Sequence, residues 1–152
     1  MQRLGMTDSD SELHRRKDAP TLKIGVIGYG YWGPNVVRNF YNTPGATVSA
    51  VCDFSAAALQ RVRKTYPSME VTNDPDDILT SPRIDAVAIV TPISHHFPLA
   101  KKALENGKHV FVEKPFTATS AQAEELIELA ARNIVAVLSG QPPLTEVTCQ
   151  KP

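Results

Sequence analysis

Gly28, Gly30 and Gly33 carry the strongest chemical signal in this chain, in the run Lys23-Ile-Gly-Val-Ile-Gly28-Tyr-Gly30-Tyr-Trp-Gly33-Pro34. They close an apolar stretch that reads as a strand and open a segment that reads as a helix. Gly28 allows a tight turn, Gly30 removes a side chain that would keep a pyrophosphate from the backbone, and Gly33 lets the helix pack closely on the strand. The free N–H groups of the helix start then face the phosphates. Pro34 falls in the first helical turn, where its missing N–H costs nothing. A glycine-rich turn without any ligand has the same three residues, so the motif needs a second observation.

Asp53 supplies it. It follows the apolar run Thr47-Val-Ser-Ala-Val-Cys52 and lies about 20 residues after Gly33, the place of a carboxylate that accepts hydrogen bonds from the adenosine ribose. A carboxylate there repels a 2′-phosphate, and Phe54, Ser55 and Ala56 bring no arginine beside it. Arg61 and Arg63 lie farther along a predicted helix and read as solvated. These residues favour NAD as cofactor over NADP. An Asp that merely caps the next helix is the alternative, and it leaves the combined spacing of strand, glycines and carboxylate without a reason.

The elements that must position these groups alternate in period along the chain. Strands are predicted near Leu22 to Ile27, Thr47 to Cys52, Met69 to Thr72, Asp85 to Val90, His109 to Val112 and Ile134 to Leu138, with helices between them. The helices are expected at Gly33 to Tyr41, Ala56 to Tyr66, Pro75 to Leu79, His95 to Glu105 and Ser120 to Ala131. In the last of these, Thr119 and Gln122 suggest a capping box, and Ala123, Leu126, Ile127 and Ala130 form an apolar stripe. Near-continuous apolar strands suit a parallel sheet covered on both faces. The fold class read from this is α/β, a doubly wound parallel sheet of the Rossmann type.

Length and composition allow one ordinary core: 152 residues, 42% of them hydrophobic. The 16 basic residues balance the 16 acidic ones, so nothing in the total charge points to nucleic acid or to an anionic membrane as partner. Cys52 and Cys149 make neither a metal motif nor a disulfide framework, which fits a reducing, cytoplasmic setting. The chain divides into a polar tail over 1–20, expected to be disordered, a dinucleotide-binding domain over 21–138 and an irregular tail over 139–152. The first tail has the pattern of neither a secretory signal nor a membrane anchor.

Thr91-Pro92 and Glu113-Lys114-Pro115 close the fourth and fifth predicted strands, on the edge where open α/β sheets bind ligands. Lys114 can give a proton or a positive charge to a substrate oxygen. A plain surface lysine is the alternative. His95 and His96 open the following helix and can face either a cofactor or water.

From Leu22 to about Ala131 these residues resemble the Gfo/Idh/MocA oxidoreductases. The likeness lies in Gly28-Tyr-Gly-Tyr-Trp-Gly-Pro34, Val51-Cys-Asp53, Ile84-Asp-Ala-Val-Ala88, Thr91-Pro92 with His96, Ala103-Leu104 followed by Gly107-Lys-His109-Val110, and Glu113-Lys-Pro115. The resemblance implies that Gly28, Gly30, Tyr31, Trp32, Gly33 and Asp53 bind NAD. It also implies that Thr91, Pro92 and His96 lie beside its ribose or nicotinamide, and that Glu113 and Lys114 approach nicotinamide and substrate, Lys114 as the catalytic group. A cis Lys114-Pro115 bond is implied as well. Family members move a hydride between a nicotinamide cofactor and a sugar, inositol or nucleotide-sugar, using a second α/β domain that selects the substrate. Ser139 to Pro152 has no family pattern, so the second domain is expected to be missing, and the chain to be a truncated product inactive alone. The alternative is a stand-alone NAD-binding module with a regulatory or partner-completed role.

Overall fold

The computed structural model describes residues 21–139. Five strands form one parallel sheet: β1 (Leu22–Ile27), β2 (Ala46–Cys52), β3 (Glu70–Thr72), β4 (Ala86–Ile89) and β5 (His109–Val112), in the order β3-β2-β1-β4-β5. The chain steps outward from β1 through β2 to β3, then returns to place β4 on the other side of β1. That reversal opens a crevice at the carboxyl ends of β1 and β4, where such sheets hold ligands.

The helices are α1 (Gly33–Tyr41), α2 (Ala56–Thr65), the short α3 (Asp76–Leu79), α4 (His96–Glu105) and α5 (Ser120–Leu138), with one turn of 3₁₀ helix at Ile93–His95. One layer of the core joins Val26, Val37, Val51, Ala58 and Val62. The other joins Ile27, Cys52, Ile78, Val87, Ile89 and Leu126. Adjacent strand residues thus feed opposite layers, which is why the runs read as apolar throughout rather than alternating. No helix among the described residues is long and apolar enough to cross a membrane.

Two local expectations meet refinements. Thr119 Oγ1 accepts the Gln122 N–H at 3.3 Å, while Gln122 Oε1 accepts from Ala118 rather than from Thr119 itself. In the predicted stripe, Leu126 is buried and Ile127 is exposed, so the stripe meets the sheet along one edge.

The expected sixth strand over Ile134 to Leu138 is not a strand: it forms the last turns of α5. No glycine or proline interrupts Ser120 to Leu138, and helix propagates more readily than it restarts. Asn133 donates from Nδ2 to Leu104 O at 3.1 Å, and the Ser139 N–H donates to Val135 O at 3.0 Å. Ile134, Val135 and Leu138 are left exposed. The tails expected over 1–20 and beyond Ser139, Cys149 included, lie outside the described residues.

Candidate dinucleotide site

The turn after β1 is built on main-chain proximity. Gly28 has φ +103°, a value an L side chain rarely adopts, and a Cβ there would lie 2.4 Å from Val90 O. At Gly33 a Cβ would come within 2.5 Å of Gly28 O, so helix α1 can start only where it does if this residue has no side chain. Gly30 differs from both: a Cβ there meets nothing within 4 Å. Its backbone therefore borders open space, the geometry that a phosphate approaching the main chain requires.

Asp53 stands at the end of β2 and turns toward this loop. Its Oδ2 accepts the Tyr29 N–H at 2.6 Å, and its Oδ1 accepts the Ser55 N–H at 2.7 Å. The cap of α2 is Ser55, whose Oγ accepts the Ala58 N–H at 3.3 Å. Asp53 is thus not the helix cap, and each of its oxygens retains a lone pair beyond its single bond.

A crevice of about 210 Å³ is lined by Gly28, Gly30, Asp53, Thr91 and Pro92, together with Phe54 and His95. The structure brings together glycine turn, carboxylate and strand-end threonine, although 38 positions separate Asp53 from Thr91. Thr91 Oγ1 is buried with no hydrogen-bond partner, an acceptor and donor aimed at no protein group. A larger groove of about 530 Å³ runs past Ser49, Glu70 and Arg83 and shares no residue with the glycine turn. Within it Arg83 holds Glu70 through two bonds of 2.9 and 3.0 Å.

Other expected site residues fall around the crevice rather than in its wall. Tyr31 and Trp32 stand exposed on the turn, their rings edge to face at 5.2 Å. Glu113 and Lys114 follow β5 on the same sheet edge, with Glu113 Oε2 accepting the Lys114 N–H at 2.8 Å, and the Lys114-Pro115 bond is cis. His96 is 1% exposed, and both of its ring nitrogens face main-chain carbonyls.

Two residues escaped the sequence reading. Phe54, 77% exposed, forms part of the crevice mouth; its signal was an aromatic side chain directly after Asp53 in a loop. Arg61 is exposed as expected, and it also turns back so that Nη2 donates to Tyr29 O at 3.4 Å. Burial pushes the Tyr29 phenol above its ordinary pKa, with Tyr66 adding to the shift and the Arg61 guanidinium opposing it. The thiol of Cys52, beneath the crevice, is pushed up to about 12 by burial and by the carboxylates of Asp53, Asp74 and Asp77. It is a packed thiol and no nucleophile at neutral pH.

Comparison with known proteins agrees with this geometry. A family model described as "Oxidoreductase family, NAD-binding Rossmann fold" matches residues 22–141. The chain is 40% identical over 114 residues to the uncharacterized oxidoreductase YdgJ of Escherichia coli, covering 72% of this chain and 31% of that protein. It is 33% identical over 117 residues to a glycosyl hydrolase family 109 protein of Phocaeicola vulgatus, covering 72% of this chain and 23% of the relative. Among solved structures, scyllo-inositol dehydrogenase of Lactobacillus casei superposes with a TM-score of 0.68 at 34% identity, covering 74% of this chain and 33% of the other. The chain therefore spans about a third or less of the length of these relatives. Fold, glycine turn and family match all lead to the same conclusion: the chain belongs to the Gfo/Idh/MocA oxidoreductase family, as its NAD-binding Rossmann domain.

Proposed function

We propose that residues 21–138 are the cofactor half of an oxidoreductase that binds NAD in preference to NADP and acts on a polyhydroxylated substrate, a sugar, inositol or nucleotide-sugar. The observation that carries this reading is the Asp53 carboxylate. It is fixed by two backbone N–H groups beside the Gly30 opening, and its remaining lone pairs suit ribose hydroxyls while its charge disfavours a 2′-phosphate. Thr91 Oγ1, buried and without a partner, adds a polar group suited to the cofactor on the opposite wall. The residues present therefore fit a dinucleotide.

When bound, the nicotinamide supplies or accepts a hydride. This chain's own groups do the rest of their share. Gly28 and Gly33 shape the turn and seat the helix on it, Gly30 admits the pyrophosphate to the backbone, Asp53 orients the adenosine ribose, and Thr91 and Pro92 flank the path to the nicotinamide. Lys114, exposed at the end of β5, would hold or deliver a proton at the substrate oxygen and favour negative charge there. The substrate class takes support from relatives named for an inositol dehydrogenase and for glycosyl hydrolases, both acting on polyhydroxylated rings.

The test is a titration of the purified chain with NAD and NADP, followed through Trp32, the single tryptophan, which lies in the glycine turn. Saturable quenching with tighter NAD binding is expected. Tighter NADP binding would overturn the preference, and no binding of either would overturn the reading itself.

A further inference from the structure

We infer that His96 is a positioning residue that joins the two strand ends flanking the nicotinamide half of the crevice, an inference that rests on the NAD-binding reading above. The ladder between β4 and β5 ends where the Glu113 N–H donates to Ile89 O at 2.9 Å. Beyond that point the two chains leave the sheet, and Pro115 has no N–H with which to continue the pairing. The His96 ring takes over there. Its Nε2 lies 2.7 Å from Thr91 O, two residues past Ile89, and its Nδ1 lies 2.9 Å from Pro115 O, two residues past Glu113.

Both partners are acceptors. A neutral imidazole has one N–H and so satisfies one carbonyl at a time, whereas a ring carrying both protons holds the two together. Either way the ring is 1% exposed and has no open face toward a ligand, so its effect on the cofactor passes through Thr91-Pro92 on one side and Lys114-Pro115 on the other. His96 sits at the first residue of α4, and the rigid helix behind it fixes where the ring can stand. The ring thereby bridges the crevice wall and the Lys114 turn beyond the last bond of the ladder.

The inference has a signature that needs no variant. In the labelled, ligand-free protein, a ring N–H resonance of His96 protected from solvent exchange is expected, and its absence overturns the inference. In His96→Leu, the carbonyl ¹³C resonances of Thr91 and Pro115 should both move, while those of β2 and β3 stay. In His96→Gln, which keeps an N–H donor, at least one of the two should hold its position. Unmoved carbonyls in both variants would overturn the inference.

Binding then locates the effect. NADH should bind His96→Leu roughly tenfold more weakly, the size of one lost hydrogen-bond contribution, while ADP-ribose, which lacks the nicotinamide, binds within about twofold of the unsubstituted protein. His96→Gln should recover most of the NADH affinity. Equal loss for both ligands would make His96 a fold residue only and overturn the positioning role. If the unsubstituted protein binds neither ligand, the NAD-binding reading fails, and the clamp itself is still decided by the ring and carbonyl resonances.

Discussion

Asp53 and Tyr29 are joined by a 2.6 Å bond from the Tyr29 N–H to Asp53 Oδ2, which ties the end of β2 to the first peptide of the glycine turn. Arg61 holds the other side of the same residue through Tyr29 O. One carboxylate thus shapes the glycine turn while keeping lone pairs free, the ones that the proposed function assigns to a ribose.

Asp53→Ala removes both the tie to the turn and the carboxylate that the proposed function assigns to the ribose. Losing a charged hydrogen-bond pairing costs about 1.5 to 3 kcal/mol, so NAD affinity should fall roughly ten- to a hundredfold and the preference over NADP should narrow. Titration calorimetry with both dinucleotides measures this. Asp53→Asn keeps an acceptor for the Tyr29 N–H, and so should retain the turn while losing the repulsion of a 2′-phosphate.

The glycines separate folding from binding. Gly30→Val places its side chain in open space and should leave the melting temperature within a few degrees while abolishing NAD binding. Gly28→Ala drives a Cβ to 2.4 Å from Val90 O in a backbone region that only glycine readily adopts, and should lower the melting temperature sharply. Thermal melts with and without NAD check both, since a ligand that binds only the folded state raises the midpoint. A normal melt for Gly28→Ala would contradict the geometry of the turn.

Cys52 predicts an alkaline loss of stability. Its thiol has an ordinary value of 9.0 when exposed and about 12 when folded. A raised folded value means that the stabilising contribution is complete below pH 9, where the unfolded thiol is also neutral. It is lost progressively as the pH rises from 9 to 12, because the unfolded state gives up its proton first. Urea midpoints of the unsubstituted protein should therefore fall more steeply across this window than those of Cys52→Ala. Parallel profiles would show that the thiol is not desolvated.

Lys108 offers a control remote from the crevice. Its Nζ donates to Ser81 O at 2.5 Å and to Ile84 O at 2.7 Å, and the residue is buried at the start of β5. Lys108→Met leaves two carbonyls without this donor and should cost about 2 to 4 kcal/mol of stability. NAD affinity measured well below the melting temperature should be unchanged, because the crevice lies at the opposite end of the strands. Weaker NAD binding at full foldedness would tie this lysine to the site.

The sequence by itself determined the parts of this protein whose physics is local. A turn without side chains, a strand too apolar to alternate and a carboxylate at the end of the next strand are properties of neighbouring residues, so Gly28, Gly30, Gly33 and Asp53 were legible, as were the five strands and their parallel class. Tertiary structure alone decided what depends on partners distant along the chain. The His96 ring is defined by carbonyls 5 and 19 positions away, and the Arg61 guanidinium by one 32 positions away. Hydropathy of a residue does not encode which carbonyl it will meet. The segment Ile134 to Leu138 shows the same limit in the backbone: its composition suits a strand, but a strand needs a neighbour to bond to, whereas a helix closes its own hydrogen bonds and continues from the turn before it.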